Sequence, residues 1–155
     1  MIDLHGATWT QAQGYQLRDD AKRFENWEFN IAGQIGLGVA VDYASALGQD
    51  AIHARIVKLA DALRAGLADV PGVTVHDIGR EKGGIVSFAA AGIDPATLKA
   101  RLREDAINYS TSTVTSTRID MTRRGIEVVN RASVHYYNTE DEVERFCRAV
   151  ARFAT

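Results

Sequence analysis

The sequence predicts an α+β fold: a small, mostly antiparallel sheet with helices packed on one of its faces, preceded by a long helix. Three observations point to it. Apolar residues recur at three- and four-residue steps through two long stretches, Phe24 to Leu47 and Ile52 to Val70. Shorter runs such as VTVHDI and IVSFAA have strand character, the first alternating apolar and polar residues. A T-x-x-E helix start at Thr139 then opens a last amphipathic segment.

Residues 1–22 show no period, carry Trp9 and Tyr15 among polar neighbours, and read as an extended N-terminal arm; residues 23–155 read as the folded domain. From Arg23 a helix is expected, with Phe24, Trp27, Ile31, Ile35, Val39, Tyr43 and Leu47 on helical spacing. Gly33, Gly36 and Gly38 each cost it about 1 kcal/mol against alanine. Glycines tolerated at that cost predict close packing against another backbone, with Trp27 and Phe29 filling a helix or subunit interface. Gly48 ends the helix and Asp50 is the expected cap of the next, whose stripe runs through Ile56, Leu59, Leu63 and Leu67.

Pro71-Gly72 stops that helix. A strand over Val73 to Ile78, the turn GREKGG and a strand over IVSFAA form an expected hairpin. Asp94 caps a helix with Pro95 at its first position, running to about Asp105 with Leu98 and Leu102 inward. AINYS is expected as a short strand and IEVVNRASVHYY as a long one. Between them Ser110 to Arg118 is rich in hydroxyls and lacks a core-forming pattern; it is either an exposed edge or a source of hydrogen bonds to a ligand. The last helix buries Val143, Phe146, Cys147, Val150 and Phe153.

Composition excludes several function classes. The chain has 155 residues, 46% hydrophobic and 25% charged, which suits one globular domain. Its 18 basic and 20 acidic residues give a net charge of -2, so no basic excess exists to neutralise a nucleic-acid backbone. Cys147 is the single cysteine, so there is no intrachain disulfide and no CxxC zinc pair, and His5, His53 and His76 have no metal-ligand spacing. The first residues lack a signal-peptide pattern, and Ile31 to Val41 is too short to span a bilayer. No membrane association and a cytoplasmic location are expected. GREKGG opens no helix and is no nucleotide cradle.

RFENWEFNIAGQIGLGVAVDY together with RASVHYYNTEDEVERF resembles the C-terminal part of class V aminotransferases. These are the fold-type I pyridoxal-phosphate enzymes that include cysteine desulfurases and isopenicillin N epimerase-like proteins. The likeness runs from Arg23 to Phe153. It implies that Arg131 binds the α-carboxylate of an amino-acid substrate. The residue type suits that task, because a guanidinium is a planar fork of donors that stays charged and matches a carboxylate with two bonds. From spacing alone, a surface ion pair is the commoner fate of an arginine. His135 alternates in phase with Arg131 and Ser133, so the three are expected on one strand face, which makes His135 a further substrate-site candidate. Tyr136 and Tyr137 read as packing residues. Asn30 matches the family pattern after R-F-E, whereas Glu28 stands where a phosphate-binding threonine is found.

The resemblance also implies what this stretch lacks. The family's Schiff-base lysine and the aspartate that pairs with the pyridinium nitrogen lie upstream, and Lys22, Lys58, Lys82 and Lys99 sit in no matching motif. No catalytic residue, no metal site and no covalently held cofactor are therefore expected here. Pyridoxal 5'-phosphate would belong to the whole enzyme, with a large domain as this chain's partner and a homo-oligomer as its assembly. Desulfurases carry an R-x-G-x-x-C loop where this chain has STSTVTSTR, so desulfurase chemistry is disfavoured. Transamination, epimerisation and elimination stay open. The alternative is a non-catalytic, self-associating domain or truncated gene product.

Overall fold

A computed structural model describes residues 6–25 and 28–154. They fall into two compact units, Met1–Ala46 and Leu47–Thr155.

In the first unit, the stretch expected as an extended arm folds back on itself. Strands β1 (Ala7–Gln11) and β2 (Gly14–Leu17) form an antiparallel hairpin in which Trp9 faces Tyr15, the rings meeting edge to face at 6.4 Å. At the turn a Cβ on Gly14 would stand 2.8 Å from Gln11 Cγ, so a larger residue there requires the Gln11 side chain to move. A 3-10 turn (Ala21–Phe24) follows, then helix α1 (Ile31–Leu47). The helix was expected from Arg23. It begins later because Asn30 caps it: its Oδ1 accepts the Gly33 N–H at 2.8 Å, satisfying a donor that the first turn leaves free. No residue of α1 is buried, and a Cβ at Gly36 or Gly38 would meet nothing within 4 Å, so the close packing expected around these glycines is not found among the described residues. Phe29 is exposed, and Trp27 lies outside the described residues.

The second unit begins with α2 (Gln49–Ala68). Gly48, at φ +90°, is its N-cap and offers no side-chain bond; Asp50, the expected cap, stands in the first turn, where its charge still suits the helix N-terminus. Then come β3 (Val73–Val75), β4 (Ile85–Ala90), α3 (Pro95–Glu104), β5 (Ser110–Thr113), α4 (Arg118–Arg123), β6 (Val128–Ser133) and α5 (Glu140–Phe153). Asp94 caps α3 by accepting the Thr97 N–H at 3.0 Å. Thr139 and Glu142 form the expected capping box on α5.

The sheet runs β3-β4-β6-β5 and every neighbouring pair is antiparallel. The expected fold class holds: a small antiparallel sheet with α2, α3 and α5 on one face. Their shared core centres on Leu59, Leu63, Val86, Phe88, Leu98 and Val150. Three strands differ from expectation. β3 stops at Val75, because Asp77 leaves the ladder for an ion pair with Arg64. The third strand is not AINYS but the hydroxyl run itself, with Ser110 opposite Arg131 and Thr113 opposite Val128. An edge strand needs only one buried neighbour, so threonine and serine suffice. Ile107 and Tyr109 instead pack against the core from a connecting segment. β6 is shorter than read, ending at Ser133.

Among the described residues, one polar side chain is buried within this core. Asn130 is 1% exposed, and the Tyr109 hydroxyl lies 3.1 Å from its Oδ1 and 3.2 Å from the Pro95 carbonyl. Burial, with Asp94 nearby, pushes the Tyr109 phenol up to about 12, so it remains a donor at neutral pH.

Candidate functional site

The two faces of β6 are set by alternation. Asn130 and Ala132 point into the core, so Arg131 points to the opposite face. Directly across the ladder it meets Ser87 of β4 on one side and Ser110 of β5 on the other. The Arg131 guanidinium is half-buried, and its Nη1 donates to Ser112 Oγ at 3.2 Å. Among the described residues it forms no ion pair.

Arg131 lines a cleft of about 380 Å³ on this outer face. Ser87, Ser112, Ser116 and Thr117 add hydroxyls, and Met121 and Val129, buried outside the main core, form an apolar patch. A second guanidinium, Arg124, is already occupied: its Nη1 pairs with Asp120 at 3.0 Å and its Nη2 donates to the His76 carbonyl at 2.5 Å. Arg131 is therefore the cleft arginine without a carboxylate partner among the described residues.

Two further groups shape the local field. Burial holds the His76 imidazole below its usual pKa, and the Arg124 charge adds to this against a weaker opposing pull from Asp77. His76 is thus neutral at physiological pH. For Asp77, burial pushes the carboxyl up, but hydrogen bonds from the Ser87 hydroxyl and N–H and from Arg64 outweigh it and leave the group below its ordinary value. The bonds are short: 2.6 Å from Ser87 Oγ, 2.8 Å from Ser87 N and 2.8 Å from Arg64 Nε.

The other sequence candidates are not gathered here. His135 lies beyond the end of β6, exposed, in a turn where Asn138 N donates to its carbonyl at 3.0 Å. Its ring stacks near Tyr136 and Tyr137, at 4.6 and 5.0 Å. The alternation that would have put His135 beside Arg131 is broken because the chain leaves the ladder after Ser133. Asn30 belongs to the first compact unit, and its side-chain oxygen is taken by the α1 cap. Cys147 is half-buried on α5 against Gly66, and burial pushes its thiol up, which opposes nucleophilic use.

The hydroxyl run flagged in the sequence turns out to be both an edge strand and a wall of the cleft. Sequence reasoning missed Ser87, although a lone serine inside IVSFAA is a visible signal. It also missed Asp77 and Arg124, whose partners are distant in sequence. A separate hollow of about 310 Å³ beside α5 offers less chemistry, since Glu142 is used by the capping box and Arg145 donates to the Asp105 carbonyl.

None of the four lysines lines the Arg131 cleft, and Lys58 pairs with Glu140 at 3.0 Å. The cleft therefore supplies no amine for an imine, while its guanidinium and hydroxyls suit an anionic group. Among the described residues no group of three or more His, Cys, Asp or Glu could hold a metal ion, and no helix is long and apolar enough to cross a membrane.

Residues 5–146 match the family model for class-V aminotransferases. The chain is 32% identical over 132 residues to probable cysteine desulfurase 1 of Mycobacterium leprae, covering 85% of this chain and 21% of that protein. It is 34% identical over 127 residues to the probable hercynylcysteine sulfoxide lyase of Mycobacterium tuberculosis, covering 79% of this chain and 31% of that one. The apo cysteine desulfurase of Thermococcus onnurineus has the same fold at a TM-score of 0.78 and 28% identity, with 99% of this chain and 38% of that chain aligned. The chain thus spans between a fifth and two fifths of the length of these three.

Proposed function

Because the chain belongs to the class-V aminotransferase family, we propose that it is the C-terminal part of a cytoplasmic, pyridoxal-phosphate-dependent enzyme acting on an amino acid. In this reading Arg131 holds the substrate carboxylate. The observation that supports it is a half-buried guanidinium in a cleft, oriented by Ser112 and free of any acidic partner among the described residues. Two parallel N–H···O bonds to a carboxylate restrict its rotation as well as bind it. Such positioning lowers the barrier of whatever bond is broken next to it.

The cofactor, when bound, supplies an electron sink for carbanion chemistry. This chain's contribution is orientation: the guanidinium fixes the carboxylate, and the buried Met121 and Val129 keep part of the cleft floor dry. Transamination, epimerisation and a lyase reaction share that need. Persulfide transfer through a loop cysteine is disfavoured, since Ser110–Thr113 and the turn after it carry no cysteine and Cys147 is packed on α5. His135, exposed beyond the end of β6, and Asn30, whose side-chain oxygen caps α1, are secondary candidates for substrate contact.

The test is acetate binding to the 155-residue chain, followed by the backbone amide NMR signals of β5 and β6. Arg131→Gln weakens it by about tenfold or more, the loss of a charge-assisted pair. Equal affinity in the variant overturns the assignment. Incubation with pyridoxal phosphate and borohydride gives no stoichiometric adduct on any one lysine; a single full adduct would show that this chain holds the cofactor itself.

A second reading, a non-catalytic self-associating domain, is favoured by α1. Ile31, Ile35, Leu37, Val39 and Tyr43 are each more than 60% exposed on one helix. A helix apolar on all sides is normally covered. Light scattering that gives a monomer at all concentrations removes this reading.

A further inference from the structure

The carboxylate clamp is one half of a recognition pattern, and the ladder places the other half beside it. Ser87 stands directly opposite Arg131 on neighbouring strands and lines the same cleft. Opposed side chains on one face of an antiparallel pair have Cβ atoms about 5 Å apart. A small molecule gripped by Arg131 is therefore within reach of the Ser87 hydroxyl.

The polarity of that hydroxyl is fixed from behind. A serine oxygen has one proton to give and two lone pairs to receive. The Ser87 proton is given to Asp77 Oδ1 at 2.6 Å. Asp77 cannot turn away, because its other oxygen is paired with Arg64 at 2.8 Å and its backbone-facing oxygen also takes the Ser87 N–H. Both members of the Asp77–Arg64 pair are nearly buried, 9% and 10% exposed. What Ser87 shows the cleft is lone pairs alone. Ser112 differs: its oxygen accepts one bond from Arg131, and among the described residues its proton has no acceptor, so it can still donate. The cleft thus offers donors at Arg131 and Ser112, and an acceptor at Ser87.

We propose that this cleft selects ligands carrying a carboxylate together with a hydrogen-bond donor a few bonds away, the carboxylate going to Arg131 and the donor to Ser87. Ser87 is a specificity residue, and Asp77 and Arg64 are its positioning residues. The inference rests on the carboxylate-clamp reading of Arg131. It adds that the amino-acid substrate bears a hydroxyl, amine or amide N–H directed at Ser87, and that an ether, thioether or purely alkyl group in that place is disfavoured.

The experiment compares ω-hydroxy acids of two to four carbons with their methyl ethers, titrated into the intact chain and followed by NMR. Each pair has the same carboxylate, and only the hydroxy acid has a proton to donate. At the best chain length the hydroxy acid binds about threefold tighter or more, the worth of one neutral hydrogen bond. Ser87→Ala abolishes the preference, and Ser87→Thr, which keeps a hydroxyl on a strand-compatible residue, restores it. Equal binding of hydroxy acid and ether at every length in the unaltered chain overturns the Ser87 assignment, even where acetate binding still depends on Arg131. Acetate binding indifferent to Arg131→Gln overturns the clamp instead, and this inference with it.

Discussion

The two faces of the β3-β4-β6-β5 sheet are made from alternate residues of the same strands, yet they do different work. On one face Val86, Phe88 and Ala132 are closed over by α2 and α5, and a buried polar side chain, Asn130, is met by Tyr109. On the other face the same strands present Ser87, Arg131 and Ser112 to an open cleft. The first face is satisfied internally. The second keeps a charge without a counter-charge among the described residues, and a hydroxyl whose proton is already committed. A period of two lets neighbouring residues in one strand serve stability and recognition separately.

That separation can be broken experimentally, beginning where the effect is greatest. Phe88 touches the rings of Tyr109 and Phe146 at 6.3 and 6.0 Å, so Phe88→Ala should lower unfolding free energy by about 3–5 kcal/mol in urea titration. A loss below about 1 kcal/mol would mean that the face can collapse around the gap. Tyr109→Phe removes the partner of a buried amide oxygen and should cost about 1–3 kcal/mol, with carboxylate binding unchanged.

Acid probes the link between the faces. The folded pKa of Asp77 lies below its unfolded value of about 3.9, so its contribution is complete above about pH 4 and is lost as pH falls through the folded pKa. Stability of the native chain should fall more steeply in that acid range than that of Asp77→Asn; parallel curves would show that the Arg64–Asp77–Ser87 chain carries no linkage. The smallest stability effect belongs to Arg131→Gln, within about 0.5 kcal/mol, because the side chain makes one hydrogen bond and no ion pair. A larger loss would assign Arg131 to the fold and weaken its role as a clamp.

Much of the fold was legible because its signals are local. The Asp94-Pro95 start of α3 and the Thr139/Glu142 box on α5 are fixed by a few adjacent residues, and both stand as read. Errors arose where a partner distant in sequence decides. The hydroxyl run is a strand because β6 offers it a ladder, and β3 is short because Arg64 draws Asp77 away. The α1 start was a local signal misread: Asn30 was weighed as a family match when it also is a strong cap. At the site, Arg131 was legible through its motif. His135 was wrongly placed beside it, since a turn closed by Asn138 ends the alternation on which that placement depended.

Periodicity and capping chemistry in the sequence alone determined the α+β class, the amphipathic faces of α2 and α5, and the outward phase of Arg131 against its buried neighbours. Those properties depend on residues a few positions apart, which the backbone geometry of helix and strand relates directly. Tertiary structure alone decided that Ser87 stands opposite Arg131, that Asp77 takes the Ser87 proton, and that Asp120 occupies Arg124 while Arg131 has no acidic partner among the described residues. Pairings of that kind join separate elements through strand register, and a hydrogen bond reaching about 3 Å has no signature in a linear chain until the sheet sets that register.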